Sequence, residues 1–206
     1  MQDRLVVLEA SWDDDFTDRR TVRPFIDGWA ANARIGCAFR AYNGRDDLLH
    51  WLLRFYRDPV ADTLYIAGHG DRGRLVGLGD QRIDLASLLR EVFESGRAPR
   101  GMKNKGVLVG ACECLGERLR MRVLADTNRR LHWLAGYSVE IPWLESMLVD
   151  VAFLEYRYRG GPRHRSATRE PGAYLQRRYG NIGLVSKWIR EDFPLAGRWG
   201  FGVASR

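Results

Sequence analysis

Thr63-Leu64-Tyr65-Ile66-Ala67-Gly68-His69-Gly70 and, further along, Gly106-Val107-Leu108-Val109-Gly110-Ala111-Cys112 decide how this chain is read. Each is a short apolar run stopped by glycine, the pattern of a buried strand. In an open α/β sheet, functional groups collect just beyond the carboxyl ends of the strands. One of these strands carries an imidazole to that edge and the other a thiol. Those two groups are the minimum for thiolate nucleophilic catalysis.

Working outward, Leu5-Val6-Val7-Leu8 reads as a first strand over 4–9, and 35–42 as a second, closed by the turn pair Asn43-Gly44. Between them lie an acidic, polar loop at 11–18 and a helix over 21–33, with Val22, Phe25, Ile26 and Trp29 spaced for one face. Leu48, Leu49, Leu52, Leu53 and Phe55-Tyr56 predict a helix over 46–57 that Asp58-Pro59 ends. The glycine-rich stretch 70–79 reads as a β-hairpin carrying Leu75, Val76 and Leu78. Asp84 caps a helix that runs through Phe93, and 95–105 is a loop. Then follow a helix over 117–129, a strand over 132–139 running to Ile141-Pro142-Trp143, and a helix over 144–156. A basic loop over 157–169 and a last helix over 174–188 complete the chain. This order predicts an α/β fold with a mostly parallel central sheet and helices on both faces, joined by right-handed crossovers.

The 206 residues suffice for one domain with a real core. The core is expected over about 5–158, with a basic extension over 159–206. No apolar run reaches the roughly 20 residues that span a bilayer, so no membrane association is expected. Acidic residues near the start (Asp3, Glu9, Asp13-Asp14-Asp15) do not fit a signal peptide. The three cysteines, Cys37, Cys112 and Cys114, make no disulfide framework, and a reducing cytoplasm fits them best. The formal charge of +7 is carried almost entirely by Arg. Residues 157–178 hold seven Arg against the single Glu170. Such a surface can meet nucleic acid or an acidic protein, though no recognised nucleic-acid module is present.

Cys112 is well placed for activation, because the following helix starts within a few residues and a helix N-terminus favours a thiolate. His69 is the base or thiolate partner and then protonates the leaving amine. Gly70 lets its backbone N–H approach a substrate oxygen. With the N–H of Cys112 it makes an oxyanion hole. Cys114 competes with Cys112 and, two residues away on an extended chain, should face the same way. Cys112 is preferred because it follows the small pair Gly110-Ala111, which leaves Cys114 as a packing thiol. The segment 68–73 also fits G-x-G-x-x-G, but the glycines that follow are incompatible with the helix a dinucleotide would need. No C-x-x-C, H-E-x-x-H or G-x-S-x-G is present. No metal or cofactor is called for.

Strand-His69-Gly70, then strand-Ala111-Cys112, resembles the caspase-like (clan CD) cysteine peptidases, and among them the bacterial CHAT-type members. Gly79-Asp80 before Ile83, Leu85 and Leu88 is similar to that family's hairpin and following helix. The stretch 137–143, with Ser138, Glu140 and Trp143, is similar to its substrate-binding strand region. The resemblance covers residues 5–158. It implies a three-layer caspase-like sandwich and a Cys-His dyad endopeptidase with His69 and Cys112 as catalytic residues. It also implies a protein substrate and a setting in bacterial regulation or antiviral defence, while the charged loops at 13–15 and 157–169 are where a regulatory partner protein is expected. Gly110 stands where caspases carry Gln and metacaspases Asp, so a roomier, apolar pocket for the residue before the scissile bond is expected. Two rival readings are a catalytically inactive binding or assembly module of the same fold, and a nucleic-acid-associated protein using Arg163, Arg165 and Arg169.

Overall fold

In the computed structural model, which describes residues 4–12, 20–94, 105–127, 130–159, 187, 189, 191 and 194–205, the predicted alternation appears in order. Strand β1 (Arg4–Ala10) is followed by α1 (Arg23–Ala33), β2 (Gly36–Tyr42), α2 (Arg45–Arg57) and β3 (Ala61–Ala67). Three short strands, β4 (His69–Asp71), β5 (Arg74–Val76) and β6 (Arg82–Asp84), lead into α3 (Leu85–Glu94). Next come β7 (Gly106–Gly110), α4 (Glu117–Asp126), β8 (Trp133–Tyr137) and α5 (Trp143–Arg159), then α6 (Pro194–Arg198) and β9 (Phe201–Ser205).

The main sheet has the order β2-β1-β3-β7-β8-β9, with every pair parallel except β8 and β9. All residues of β3, β7 and β8 are buried. That is why these strands read as unbroken apolar runs: both faces are covered, so alternation has no reason to appear. One face packs Leu8, Leu64, Ile66, Val107 and Val109 against Leu52 and Phe55 of α2, Leu88 and Leu89 of α3, and Val123 of α4. The other packs Leu5, Val7, Tyr65 and Leu108 against Ile26 and Trp29 of α1 and Val149 and Phe153 of α5. The result is a three-layer α/β sandwich.

Local chemistry sets the element ends. The Ser87 N–H donates to Asp84 Oδ1 (2.8 Å), the expected cap of α3. After α2, Asp58 Oδ1 accepts the N–H groups of Val60 and Ala61. The buried Lys105 ammonium donates to the carbonyls of Phe55, Asp58 and Ala61, tying the end of α2 to the starts of β3 and β7. Arg72 (φ 44°) and Gly73 (φ 85°) form a two-residue turn between β4 and β5, with both central residues in the left-handed region.

Three features depart from the sequence reading. The hairpin gains a third strand, because β6 pairs with β5 before α3 begins. Helix α5 runs through Arg159, so the basic segment begins on a helix. Strand β9, placed nowhere by the sequence pattern, returns antiparallel to β8 and ends the sheet. The acidic stretch 13–18, most of the loop 95–105, residues 160–169 with Arg163, Arg165 and Arg169, and nearly all of the helix expected over 174–188 lie outside the described residues. Among the described residues, no helix is long and apolar enough to cross a membrane.

Candidate active site

The parallel pairing of β3 with β7 sets Ala67 opposite Gly110. Two residues beyond each strand stands one of the candidate side chains: His69 after β3, Cys112 after β7. The two lie at matched positions beyond neighbouring carboxyl ends, a consequence of register alone. β3 ends at Ala67, and His69 is already the first residue of the second sheet, so the chain bends away from β7 at Gly68.

Gly70 brings the two segments into contact. A Cβ at this position would stand 2.1 Å from the Cys112 carbonyl oxygen, 3.0 Å from its N and 2.5 Å from Cys114 Sγ. Only glycine lets the β4 backbone lie this close to Cys112. The Gly73 N–H donates to the Glu113 carbonyl (2.8 Å), fixing the β4–β5 turn to the same segment. On the far side, the Glu113 N–H donates to Val139 and the Leu115 N–H to Tyr137, so the segment after β7 is held between the hairpin and the end of β8.

Cys112 is half-buried, and its Sγ sits 3.4 Å from both the N–H and the carbonyl oxygen of Ile141. Burial pushes this thiol above its ordinary value. The Ile141 contact opposes that rise, while the charges of Glu140 and Glu113 add to it. The resting group is therefore a thiol, not the thiolate that helix proximity suggested. Helix α4 begins five residues further on, at Glu117, and a helix terminus acts over about one turn. Cys37 and Cys114 are pushed up further, to about 12, mainly by burial.

The expectation that Cys112 and Cys114 face the same way is overturned. Glu113 adopts φ 53°, a left-handed conformation that breaks the extended alternation. Cys112 packs with the α1–α5 side, and Cys114 is fully buried on the α2–α3–α4 side, its Sγ 3.1 Å from the Arg74 carbonyl.

His69 is exposed, and its ring meets the Trp12 indole edge-on (centroids 5.3 Å apart). Among the described residues, no hydrogen bond joins His69 to Cys112 in this resting arrangement. Trp12 in turn meets Trp143 edge-on at 6.3 Å, and Trp143 meets Phe25 at 5.6 Å. An aromatic wall thus runs from the imidazole along the start of α5. Glu9 anchors it: Trp12 Nε1 and the Val22 N–H donate to Oε1, and the Thr21 hydroxyl donates to Oε2.

The other expected contact residues are spread around this edge. Ser138 is exposed and donates through Oγ to the Gly200 carbonyl (3.1 Å). Glu140 is exposed beside Cys112, and Trp143 begins α5. Gly110 is buried within β7, and the space a side chain would take there is filled by Asp150 Oδ2 (2.6 Å) and the Tyr65 ring and hydroxyl (2.7 Å). Its face turns to that buried carboxyl rather than to solvent. The sequence reading missed Trp12, Ile141 and Asp150. A lone tryptophan in an acidic loop just past β1 was the one local signal; the other two show only in three dimensions. Among the described residues, no group of three or more His, Cys, Asp or Glu side chains is placed to hold a metal ion.

The sequence matches no protein-family model and no curated protein. The structure does have likenesses among solved proteins. A crystal structure of caspase-1 from Spodoptera frugiperda superposes with a TM-score of 0.51 at 15 % identity, over 99 % of this chain and 86 % of that one. At that identity the likeness is one of fold: the chain has a caspase-like fold.

Proposed function

We propose that this protein is a cysteine endopeptidase in which Cys112 attacks a peptide carbonyl and His69 moves the proton. The observation that carries this reading is the matched placement of His69 and Cys112 beyond Ala67 and Gly110, on a fold shared with a caspase.

Because burial of half the side chain favours the thiol at Cys112, deprotonation accompanies attack. His69 swings from the Trp12 edge to take the Sγ proton as the C–S bond forms, and the imidazolium then protonates the departing amine. Water, deprotonated by the same imidazole, hydrolyses the thioester and returns the thiol. The negative oxygen of the tetrahedral intermediate is met by the N–H groups of Gly70 and Cys112. In a two-residue hairpin the pair that closes the turn, here Asp71 and Arg74, is hydrogen-bonded, and the next pair, Gly70 and Leu75, is not. The Gly70 N–H is therefore turned away from β5 and left unspent by the hairpin. Two such donors lower the barrier by a few kcal/mol.

The wall of Trp12, Trp143 and Phe25 favours an apolar residue before the scissile bond, and the buried Gly110 offers that residue neither an acid nor a base. Ser138 and Glu140 flank the substrate chain. A bacterial regulatory or defence setting and a kinship with CHAT-type peptidases belong to this reading through resemblance alone, and a regulatory protein partner through the charged sequence at 13–15 and 157–169.

The test is an unbiased peptide library incubated with the intact protein, with new termini read by mass spectrometry. Cleavage is expected with the wild type, predominantly after apolar residues, and is lost in Cys112→Ala and in His69→Ala. Cleavage that survives Cys112→Ala refutes the mechanism. Strongest cleavage after Asp refutes the pocket.

A further inference from the structure

Asp150 takes no part in the mechanism above, yet it is fully enclosed in the middle of α5 directly beneath Gly110. Its Oδ2 lies 2.8 Å from the Tyr65 hydroxyl and its Oδ1 2.9 Å from the Tyr137 hydroxyl. The Tyr137 hydroxyl is also 3.0 Å from the carbonyl oxygen of Ser146, in the first turn of α5. A phenol has one hydrogen. It can serve Asp150 or Ser146, not both. With Asp150 ionised, three oxygen–oxygen contacts share two hydrogens, and one close pair has none between them. With a proton on Oδ1, every contact is filled: Asp150 donates to Tyr137, Tyr137 donates to Ser146, and Tyr65 donates to Oδ2.

The surroundings favour the same state. Among the described residues, the titratable groups facing Asp150 are Tyr65 from β3 and Tyr137 from β8. Beyond them stand Glu9, whose charge acts on Tyr65, and Cys112, whose thiol acts on Tyr137. None of these is a cation. A carboxylate buried without one is costly and takes up a proton instead. Burial lifts Asp150 to about 7, with the two tyrosine hydrogen bonds pulling the other way.

Tyr137 ends β8, and Ser146 lies in the first turn of α5. Between them runs the loop whose Ile141 N–H and carbonyl bracket Cys112 Sγ. The Tyr137–Ser146 hydrogen bond is thus a clasp across the base of that loop. We infer that Asp150 is held as a neutral carboxylic acid whose proton keeps this clasp shut, making it a positioning residue for Cys112. When the proton leaves, the carboxylate draws the Tyr137 hydrogen to itself, because charged acceptors bind more strongly. The clasp then opens. The importance given to Cys112 rests on the peptidase reading; the proton count does not.

The test uses the intact protein with carbon-13 in its aspartate carboxyls, followed by NMR against pH, and the amide exchange of Ile141 in the wild type and in Asp150→Asn. The Asn amide reproduces all three contacts, donating to Tyr137 and accepting from Tyr65, and does not titrate. Asp150 is expected to titrate near 7 rather than near the ordinary carboxylate value of about 3.9. Ile141 protection, corrected for intrinsic exchange, should fall through the same midpoint in the wild type and stay level in the variant. The folded Asp150 binds its proton more tightly than the unfolded chain does. Wild-type stability relative to Asp150→Asn should therefore be greatest below about pH 4 and fall about tenfold in equilibrium constant per pH unit up to about pH 7. Titration of Asp150 at the ordinary carboxylate value overturns the inference. So does titration near 7 with the same Ile141 profile in both proteins, and so does an Asn variant that cannot fold. A protein that cleaves no peptide leaves these readouts intact, so failure of the enzymatic reading is seen separately.

Discussion

At Gly70 a single missing methyl group lets two segments touch. Gly70→Ala would drive a Cβ into the Cys112 carbonyl and Cys114 Sγ, both parts of a packed turn with nowhere to go. Overpacking of this kind costs about 1–3 kcal/mol, and a denaturant titration should show a loss in that range. Gly28 is the control. A Cβ there meets nothing within 4 Å, and the residue lies inside α1, so Gly28→Ala should gain about 0.5–1 kcal/mol. Equal effects from the two substitutions would show that close approach at Gly70 is not what its glycine provides. At this scale the sequence was readable where chemistry is rare and local. A histidine and a cysteine each following an apolar run announce themselves. The left-handed Glu113, which turns Cys114 to the opposite face from Cys112, leaves no such trace, because glutamate gives no hint of a positive φ. Nor does Asp150, an ordinary acid on a helix until folding seals it against two tyrosines.

Between elements, two side chains each hold three partners. Glu9 at the end of β1 holds the indole of Trp12, the hydroxyl of Thr21 and the N–H of Val22 that opens α1. Removing one partner of such charged hydrogen bonds leaves donors unmet, which costs about 2–3 kcal/mol. Glu9→Ala should lose about that much in a thermal or chemical melt and release Trp12 from His69, seen as a shift in the imidazole NMR resonances. A His69 spectrum identical in the variant would deny the Glu9–Trp12 link any part in placing the imidazole. Lys105 does the equivalent at the opposite edge. Its ammonium satisfies three carbonyls at the α2–β3 junction, and Lys105→Met should destabilise by about 3 kcal/mol or more. Elements with one strong period were legible: the α2 face, the capped start of α3, and the apolar strands β1, β3 and β7. Strand β9 was not. Its run Phe201-Gly202-Val203-Ala204-Ser205 is short and carries a glycine, and the turn at Gly200 (φ 62°) just before it fits a loop as well as a strand. What makes it a strand is the free edge of β8, a partner that the local sequence does not name.

Across the whole molecule, strand–helix alternation made the layered fold readable. Each apolar run needs cover on two faces, and only helices between parallel strands supply it. The order of strands within the sheet, and the identity of the two edges, follow from pairings far apart in the chain and were not readable. Those edges carry a prediction. β3 and β7 are buried throughout, whereas β2 is largely half-buried or exposed. Hydrogen exchange should therefore be slowest, at the limit of global unfolding, in peptides covering 61–67 and 106–110, and distinctly faster in 36–42. Uniform protection across the sheet would contradict this division into a fixed centre and looser margins.

The likeness to a caspase, at 15 % identity, reaches the fold and stops there; the enzymatic proposal stands on an imidazole and a sulfur carried to one edge by strand register. Its most direct test is the rate at which an electrophilic peptide bearing an apolar residue next to its reactive carbon modifies each cysteine near neutral pH, followed by peptide mapping in the wild type and in His69→Ala. The expected result is modification of Cys112 well ahead of Cys37 and Cys114, slowed about a hundredfold or more when the imidazole is removed, the usual worth of a positioned base. Modification of Cys37 or Cys114 at a comparable rate, or a Cys112 rate indifferent to His69, would contradict it.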